Sequence, residues 1–477
     1  MVFQNNVLAG GAGGSGTTVH TIDQSIRFNA VDSPKMTRTP SGAGNRKTWT
    51  FSTWVKRGVL STDQWILGSF SDTSNFAAIY LDGTNNSTDN TFRVYEYNGG
   101  VLKYWVYGSH KFRDPSAWYH FVVSFDSTNA ISSERIKLYV NGLRITDLAQ
   151  ETQPSLNYDS YVNATIEHRI GEYNSKWYMD GYLAEIVLID GTALDPSSFG
   201  EYNSSNIWIP KDVSGLTFGT NGFYIDGRDS ADLGDDESGN GNDFTTSGLA
   251  THDQVLDSPT NNFSTLNPLI PGLGLTTVTY SEGNLKVTFS NNDATESTIG
   301  IPSSGKWYFE GYVIDTTYFR DDVQTAIGLR PEGFSHQRDD VNETGFAYGQ
   351  NGKKIEGDGS SGSASSYGAS YSADDIIGVA VDMDASPATL TFYKNNASQG
   401  TAFTFTDKTI FRFGSVAQRN SSGWILNFGQ DSTFAGENVN ANDYSNYDGT
   451  SDGNGVGSFF YTPPTGYLAL CTKNLGS

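Results

Sequence analysis

The chain is poor in cysteine. A single residue of that type, Cys471, stands in 477, so no internal disulfide can form, and no Cys/His spacing suited to zinc occurs. No apolar run reaches the ~18 residues a membrane-spanning helix needs. Met1 to Gly16 has neither the basic start nor the apolar stretch of a secretory signal, so the sequence reads as a soluble protein made in a cytoplasm. Positive charge is also scarce. Lys and Arg number 30 against 53 Asp and Glu, a net charge of −23, which argues against nucleic acid as a partner because phosphate binding needs clustered cations. Motifs of catalysis are missing as well. The six histidines are scattered and no GxSxG elbow is present. No strand carries the spaced carboxylates that glycan hydrolysis requires, and Glu185 stands alone on its strand. A non-enzymatic protein is expected.

What the chain has is glycine, 53 residues, and aromatic side chains, 13% of the total. Short alternating apolar stretches recur between turn signals and almost nothing reads as a helix. Trp49 to Val55 and Tyr119 to Phe125 alternate, and Ile136 to Val140 runs into Asn141-Gly142, the dipeptide of a tight hairpin. His120 lies opposite the apolar face of its strand and reads as solvent-facing or interfacial. The hairpin Phe92 to Tyr107 carries aromatics on both faces. A two-residue turn within Asn98-Gly99-Gly100 puts Phe92, Val94, Glu96, Lys103, Trp105 and Tyr107 on one face, and Arg93, Tyr95, Tyr97, Leu102, Tyr104 and Val106 on the other. One face covers the core; the other packs under a neighbouring loop or meets a partner.

The expected fold class is all-β, two antiparallel β-sandwich domains behind a short glycine-rich arm. Residues 1–20 form the arm, an apolar head followed by AGGAGGSGTT, suited to anchoring in a partner. Residues 21–210 form the first sandwich and 211–274 an acidic, turn-rich connector, with the main boundary near the prolines and glycine of 268–275. Residues 275–477 form the second sandwich with a C-terminal extension, and residues 357–366 read as a mobile surface loop.

The order Thr50-Phe51-Ser52-Thr53-Trp54-Val55-Lys56, Trp118 to Asp126, Lys137-Leu138-Tyr139-Val140-Asn141-Gly142 and Met179-Asp180-Gly181-Tyr182-Leu183-Ala184-Glu185, completed by Ala193-Leu194-Asp195, resembles the laminin-G-like or concanavalin-A-like jelly roll. The resemblance implies two packed sheets, often carbohydrate or protein ligands, and in some members calcium at the sheet rim. It keeps Asp180 as a possible calcium ligand. The acidic stretch supplies further oxygens at Asp235, Asp236 and Asp243, although it lacks an EF-hand register and reads first as a solvated turn.

Trp307-Tyr308-Phe309-Glu310, Tyr348-Gly349-Gln350-Asn351-Gly352-Lys353, Asp375 to Asp382, Thr391-Phe392-Tyr393-Lys394-Asn395-Asn396 and Leu426-Asn427-Phe428-Gly429-Gln430 resemble the SPRY domain. Asn396 stands where that family usually has glycine. The resemblance implies a twisted sandwich that binds partners through loops at one end, without catalytic residues of its own.

Together, the two domains and the opening Ile22-Asp23-Gln24-Ser25-Ile26-Arg27-Phe28-Asn29 are similar to virion structural proteins of tailed phages of marine bacteria. The connector Asp253 to Phe263 adds to that likeness. It implies a protein exposed on the phage particle, a tail fibre or spike binding host-surface glycan or protein, or a capsid or tail decoration protein binding other virion subunits. It also implies a homo-oligomer, most often a trimer, anchored to other virion proteins through the arm. Candidate ligand contacts are Trp105, Tyr107, Trp177 and Tyr178 in the first domain. In the second they are Arg338, Asp339 and Tyr348, within a loop that also holds Phe334 and His336.

Overall fold

The computed structural model describes residues 19–83, 89–269, 278–289, 293–315, 325–331, 345–357, 362–406, 411–417, 422–438 and 449–476. These divide into two compact units, meeting in sequence at Thr260 and Asn261. Both are antiparallel β-sandwiches, as expected. The anchoring arm falls outside the described residues except for its last two.

In the first unit one sheet runs, in spatial order, β10 (Leu143–Arg144), β9 (Ile136–Val140), β8 (Trp118–Asp126), β3 (Thr48–Arg57), β13 (Gly181–Asp190), β1 (Ser25–Phe28) and β18 (Gln254–Val255), with β16 (Phe223–Ile225) also on β13. The other runs β11 (Leu148–Thr152), β7 (Val101–Gly108), β6 (Phe92–Asn98), β5 (Asn75–Leu81), β4 (Gln64–Asp72), β12 (Glu167–Ile170), β2 (Lys35–Arg38) and β17 (Thr245–Ser247). A ribbon of β14 (Gly200–Tyr202) and β15 (Trp208–Pro210) stands apart. The core between the sheets takes alternate residues from each strand, among them Phe51, Val55, Phe121, Val123 and Leu183 facing Ile79, Leu81, Phe92, Val94 and Val106. Asn141 and Gly142 both adopt left-handed φ values, 46° and 79°, and close the hairpin the sequence signals.

The expected connector 211–274 is corrected by this topology. Its first fifty residues supply β16, β17 and β18, so they complete both sheets of the first unit. Asp236 organises the acidic stretch as a turn, accepting from the backbone amides of Tyr224, Ser238 and Asn242 at 2.8–3.0 Å.

In the second unit one sheet orders β19 (Val278–Ser281), β20 (Lys286–Phe289), β31 (Ser422–Asn427), β22 (Lys306–Asp315), β27 (Ile376–Asp382), β28 (Ala388–Lys394) and β29 (Ala397–Phe405), with β32 (Leu468–Ala469) parallel to β22. The other orders β21 (Asp293–Glu296), β30 (Phe411–Ala417), β23 (Thr325–Pro331), β24 (Phe346–Gly349), β25 (Lys353–Gly357) and β26 (Gly362–Ser366). Part of the expected mobile loop is therefore a strand: β26 pairs residue for residue with β25, since a Ser/Gly run keeps every backbone donor a ladder needs. Asn395 and Asn396, at φ 46° and 66°, form the β28–β29 turn, so asparagine serves where glycine is usual.

Candidate binding face

The hairpin of β6 and β7 turns through Gly99 and Gly100, but its faces differ from the expectation. A register shift pairs Glu96 with Tyr104 while Tyr97 pairs with Leu102, leaving Lys103 as an extra residue. One extra residue in a strand exchanges its faces. Tyr104 and Val106 therefore join Phe92 and Val94 in the core, and Trp105 and Tyr107 turn outward with Tyr95 and Tyr97.

The outward side of the second sheet carries its own aromatic layer. Trp65, Phe76 and Tyr80 from β4 and β5 form it with Tyr173, and Tyr95, Tyr97 and Trp177 pack against it. Tyr95 lies opposite Trp105 in register, and Trp105 contacts Tyr107 at 5.5 Å between ring centres. At the far side three rings stack. Trp65 and Tyr173 are 4.6 Å apart, and Tyr173 and Trp177 are 4.9 Å apart and within 14° of parallel. The layer crosses β7, β6, β5 and β4, a distance of ~14 Å at ordinary strand spacing.

The loop that presents Trp177 is fixed by its backbone. Tyr173 and Lys176 pair across a turn in which Asn174 and Ser175 have φ of 47° and 58°. Trp177 itself has φ of 53°, unusual for so bulky a residue, and is held because the Trp65 amide donates to its carbonyl at 3.1 Å. Burial pushes the Tyr80 and Tyr95 hydroxyls up, so both stay neutral. Arg93 lies 4.3 Å over the Tyr107 ring and bridges Asp82 and Asp89; Arg169 lies 4.5 Å over Phe70 and bridges Glu167 and Glu172.

Of the expected ligand contacts, Trp105, Tyr107 and Trp177 belong to this face and are half-buried. Tyr178 is half-buried beside Trp177 but takes no part in the stack. Tyr348 is corrected: it is fully buried in the second core, its ring against Tyr367, Tyr371 and Phe392, because β24 turns it inward. Arg338 and Asp339 lie outside the described residues, as do Phe334 and His336. Trp65, Tyr173 and Phe76 were missed, although the alternation Phe76, Ala78, Tyr80 is an outward-facing apolar row.

His120 is 1% exposed and so, of the two expected positions, not solvent-facing, because Trp208 covers it. The Trp208 indole donates to Nδ1 at 3.0 Å, so in the neutral ring Nε2 carries the proton and donates to Ser52 Oγ at 2.9 Å. Burial pushes His120 down to about 3, and this Ser/His pair is oriented against proton abstraction. Glu185 is held by hydrogen bonds from outside its strand. It sits at a bulge of β13 with φ 46°, accepts from His20 Nε2 at 2.6 Å and from the Tyr224 hydroxyl at 3.3 Å, and is buried.

Asp180 is buried with one carboxylate oxygen unpartnered, and desolvation pushes it up to about 7. That lone oxygen is no calcium cage, which takes six to eight oxygens. Asp236 spends its oxygens on its own turn, and Asp243 Oδ1 accepts from the Asp236 amide. Arg38 donates to Asn242 beside them, which supplies a cation already. Among the described residues no three acidic, His or Cys side chains converge as metal ligands.

Residues 32–197 match the family model of the concanavalin A-like lectin/glucanases superfamily, and residues 306–431 that of the SPRY domain. The chain thus carries a laminin-G-type, concanavalin A-like domain followed by a SPRY domain. Among solved structures, a human SPRY domain is 17% identical, with 32% of this chain and 94% of that one covered at a TM-score of 0.24. A heptameric SAP-like pentraxin from Limulus polyphemus is 17% identical, with 37% and 80% covered and a TM-score of 0.27. Domain 4 of an extracellular arabinanase from Geobacillus stearothermophilus, in complex with arabinotriose, is 20% identical, with 34% and 68% covered and a TM-score of 0.25. No curated protein matches the sequence.

Proposed function

We propose that this chain is a non-enzymatic virion protein of a tailed phage, a tail fibre or spike that grips host-surface glycan through the outer aromatic face of its first domain. The observation that carries the binding role is the pair of half-exposed aromatic ends, Trp105 with Tyr107 and the stack ending in Trp177, on one rigid sheet. Flat rings held in place lose little entropy when a sugar ring stacks on them. The place on a phage particle is supported by the sequence likeness of the opening block and the Asp253 to Phe263 segment. A trimer anchored through the N-terminal arm would multiply weak contacts by avidity. Glycan cleavage is disfavoured, because Glu185 is engaged by His20 and Tyr224 while Glu96 is held by Tyr104, Tyr158, Ser160 and the Tyr161 amide.

The test is binding of fluorescent protein to bacterial cells and their extracted polysaccharide. Saturable, sugar-competed binding that is lost in Trp105→Ala and Trp177→Ala, with unchanged circular dichroism, supports the reading. Variants that bind cells like the parent protein overturn it, and binding to purified phage particles instead would favour a decoration protein.

A further inference from the structure

We infer that the glycan taken by this face carries a carboxylate, a uronic-acid type of sugar, and that Lys176 is the residue that selects it. The inference rests on the glycan-binding reading above and concerns the chemistry of the ligand. Lys176 Nζ lies 4.3 Å from the Trp177 ring centre and 5.6 Å from that of Tyr173. With those two rings 4.9 Å apart, the ammonium stands alongside the pair and not beyond Trp177. Among the described residues no ring other than Tyr173 stacks on Trp177, which is half-buried, and a sugar ring set against its uncovered part would bring a substituent near the ammonium.

Lys176 differs in charge pairing from the other cations of the layer. Arg93 is tied to Asp82 and Asp89, and Arg169 to Glu167 and Glu172. Lys176 is exposed, and no described carboxylate lies within ion-pair distance of it. In a chain of net charge −23, an unpaired cation beside a half-buried ring of the face is a local reversal of sign. The left-handed backbone at Asn174, Ser175 and Trp177 fixes the tight turn that brings the lysine and the ring together. A neutral sugar gains only the stacking; a ring with a carboxylate gains a charge-assisted hydrogen bond as well.

Calorimetric titration of the full chain with a galacturonic acid hexamer, and with the same hexamer after carboxyl reduction, tests this. The parent protein is expected to bind the acidic hexamer about five-fold more tightly, the order of a partly exposed ion pair. Lys176→Met is expected to erase that preference while leaving the reduced hexamer unaffected, and Lys176→Glu to invert it. Equal binding of the two hexamers by the parent, or a Lys176→Met effect of the same size on both, overturns the inference while leaving glycan binding standing. If Trp177→Ala binds both hexamers like the parent, or the parent binds neither, the stacking site itself fails as well.

Discussion

Lys56 Nζ donates to Asp257 Oδ2 at 2.6 Å with both side chains buried, and this pair ties the last strand region of the first unit to its central strand β3. The other carboxylate oxygen accepts from the Trp118 indole at 3.1 Å, and the Asp257 carbonyl from Ser25 Oγ at 2.6 Å. Removing one partner strands a buried charge. Asp257→Ala is expected to destabilise the first unit by ~3–5 kcal/mol, whereas the double change Lys56→Met with Asp257→Leu is expected to recover most of it. Urea denaturation followed by Trp fluorescence gives both values, and equal losses in the two proteins would refute the pairing argument.

His20 provides a pH dependence of known sign. The hydrogen bond to Glu185, aided by the charges of Glu185, Asp212 and Asp23, raises its pKa above 6.5 against the lowering effect of burial. A raised histidine contributes stability that is complete below 6.5 and is lost as pH rises through the folded value. Thermal melts from pH 6 to 9 are expected to show a fall that His20→Gln makes shallower by about 1 kcal/mol or less, because the imidazole is partly solvated. An NMR titration of His20 that gives a midpoint below 6.5 would contradict this.

Asp180 acts with the opposite chemistry and the same slope. Its carboxyl is pushed up to about 7 by desolvation, with only a long 3.4 Å bond from the Ala30 amide working the other way. The folded chain therefore holds this proton more tightly than the unfolded one, and stability falls as pH climbs from about 4 to 7. Asp180→Asn removes the buried charge, and its melting temperature at pH 8 is expected to exceed that of the parent, with the gap closing by pH 4. The same melts with added calcium probe the rim: no shift in the parent is expected, since the donor set is incomplete.

Several of these relationships were legible in the sequence and others were hidden for physical reasons. The strand blocks around Trp54, Phe121 and Tyr139, and those around Phe309 and Val379, announce two sandwiches because alternation and tight-turn dipeptides are local signals. The outward turn of Trp105 was not legible, since the bulge at Lys103 leaves no mark in the composition of the strand. Residues 211–260 read as a connector because β16, β17 and β18 are only two or three residues long and pair with strands far away in sequence. The stack of Trp65, Tyr173 and Trp177 joins residues about a hundred positions apart, and His120 is dry only because Trp208 arrives from β15.

Glu310 gives the second unit its test. The side chain is fully buried on β22, where its two oxygens accept from the backbone amides of Phe460 and Tyr461 at 2.8 Å each, with the Tyr308 hydroxyl at 3.2 Å. One carboxylate thus holds the segment that leads to β32, which pairs in parallel with the same strand. Desolvation pushes Glu310 up to about 7 even though these donors all favour the charged form. Glu310→Ala leaves two amides and a hydroxyl without an acceptor and is expected to destabilise this unit by ~2–4 kcal/mol. The C-terminal segment is expected to become sensitive to limited proteolysis near residues 460–466, while the first unit melts as before. Glu310→Gln keeps one acceptor but turns a donor toward the second amide, so an intermediate loss is expected, and protection equal to the parent in both variants would show that the segment is held by its ring contacts instead.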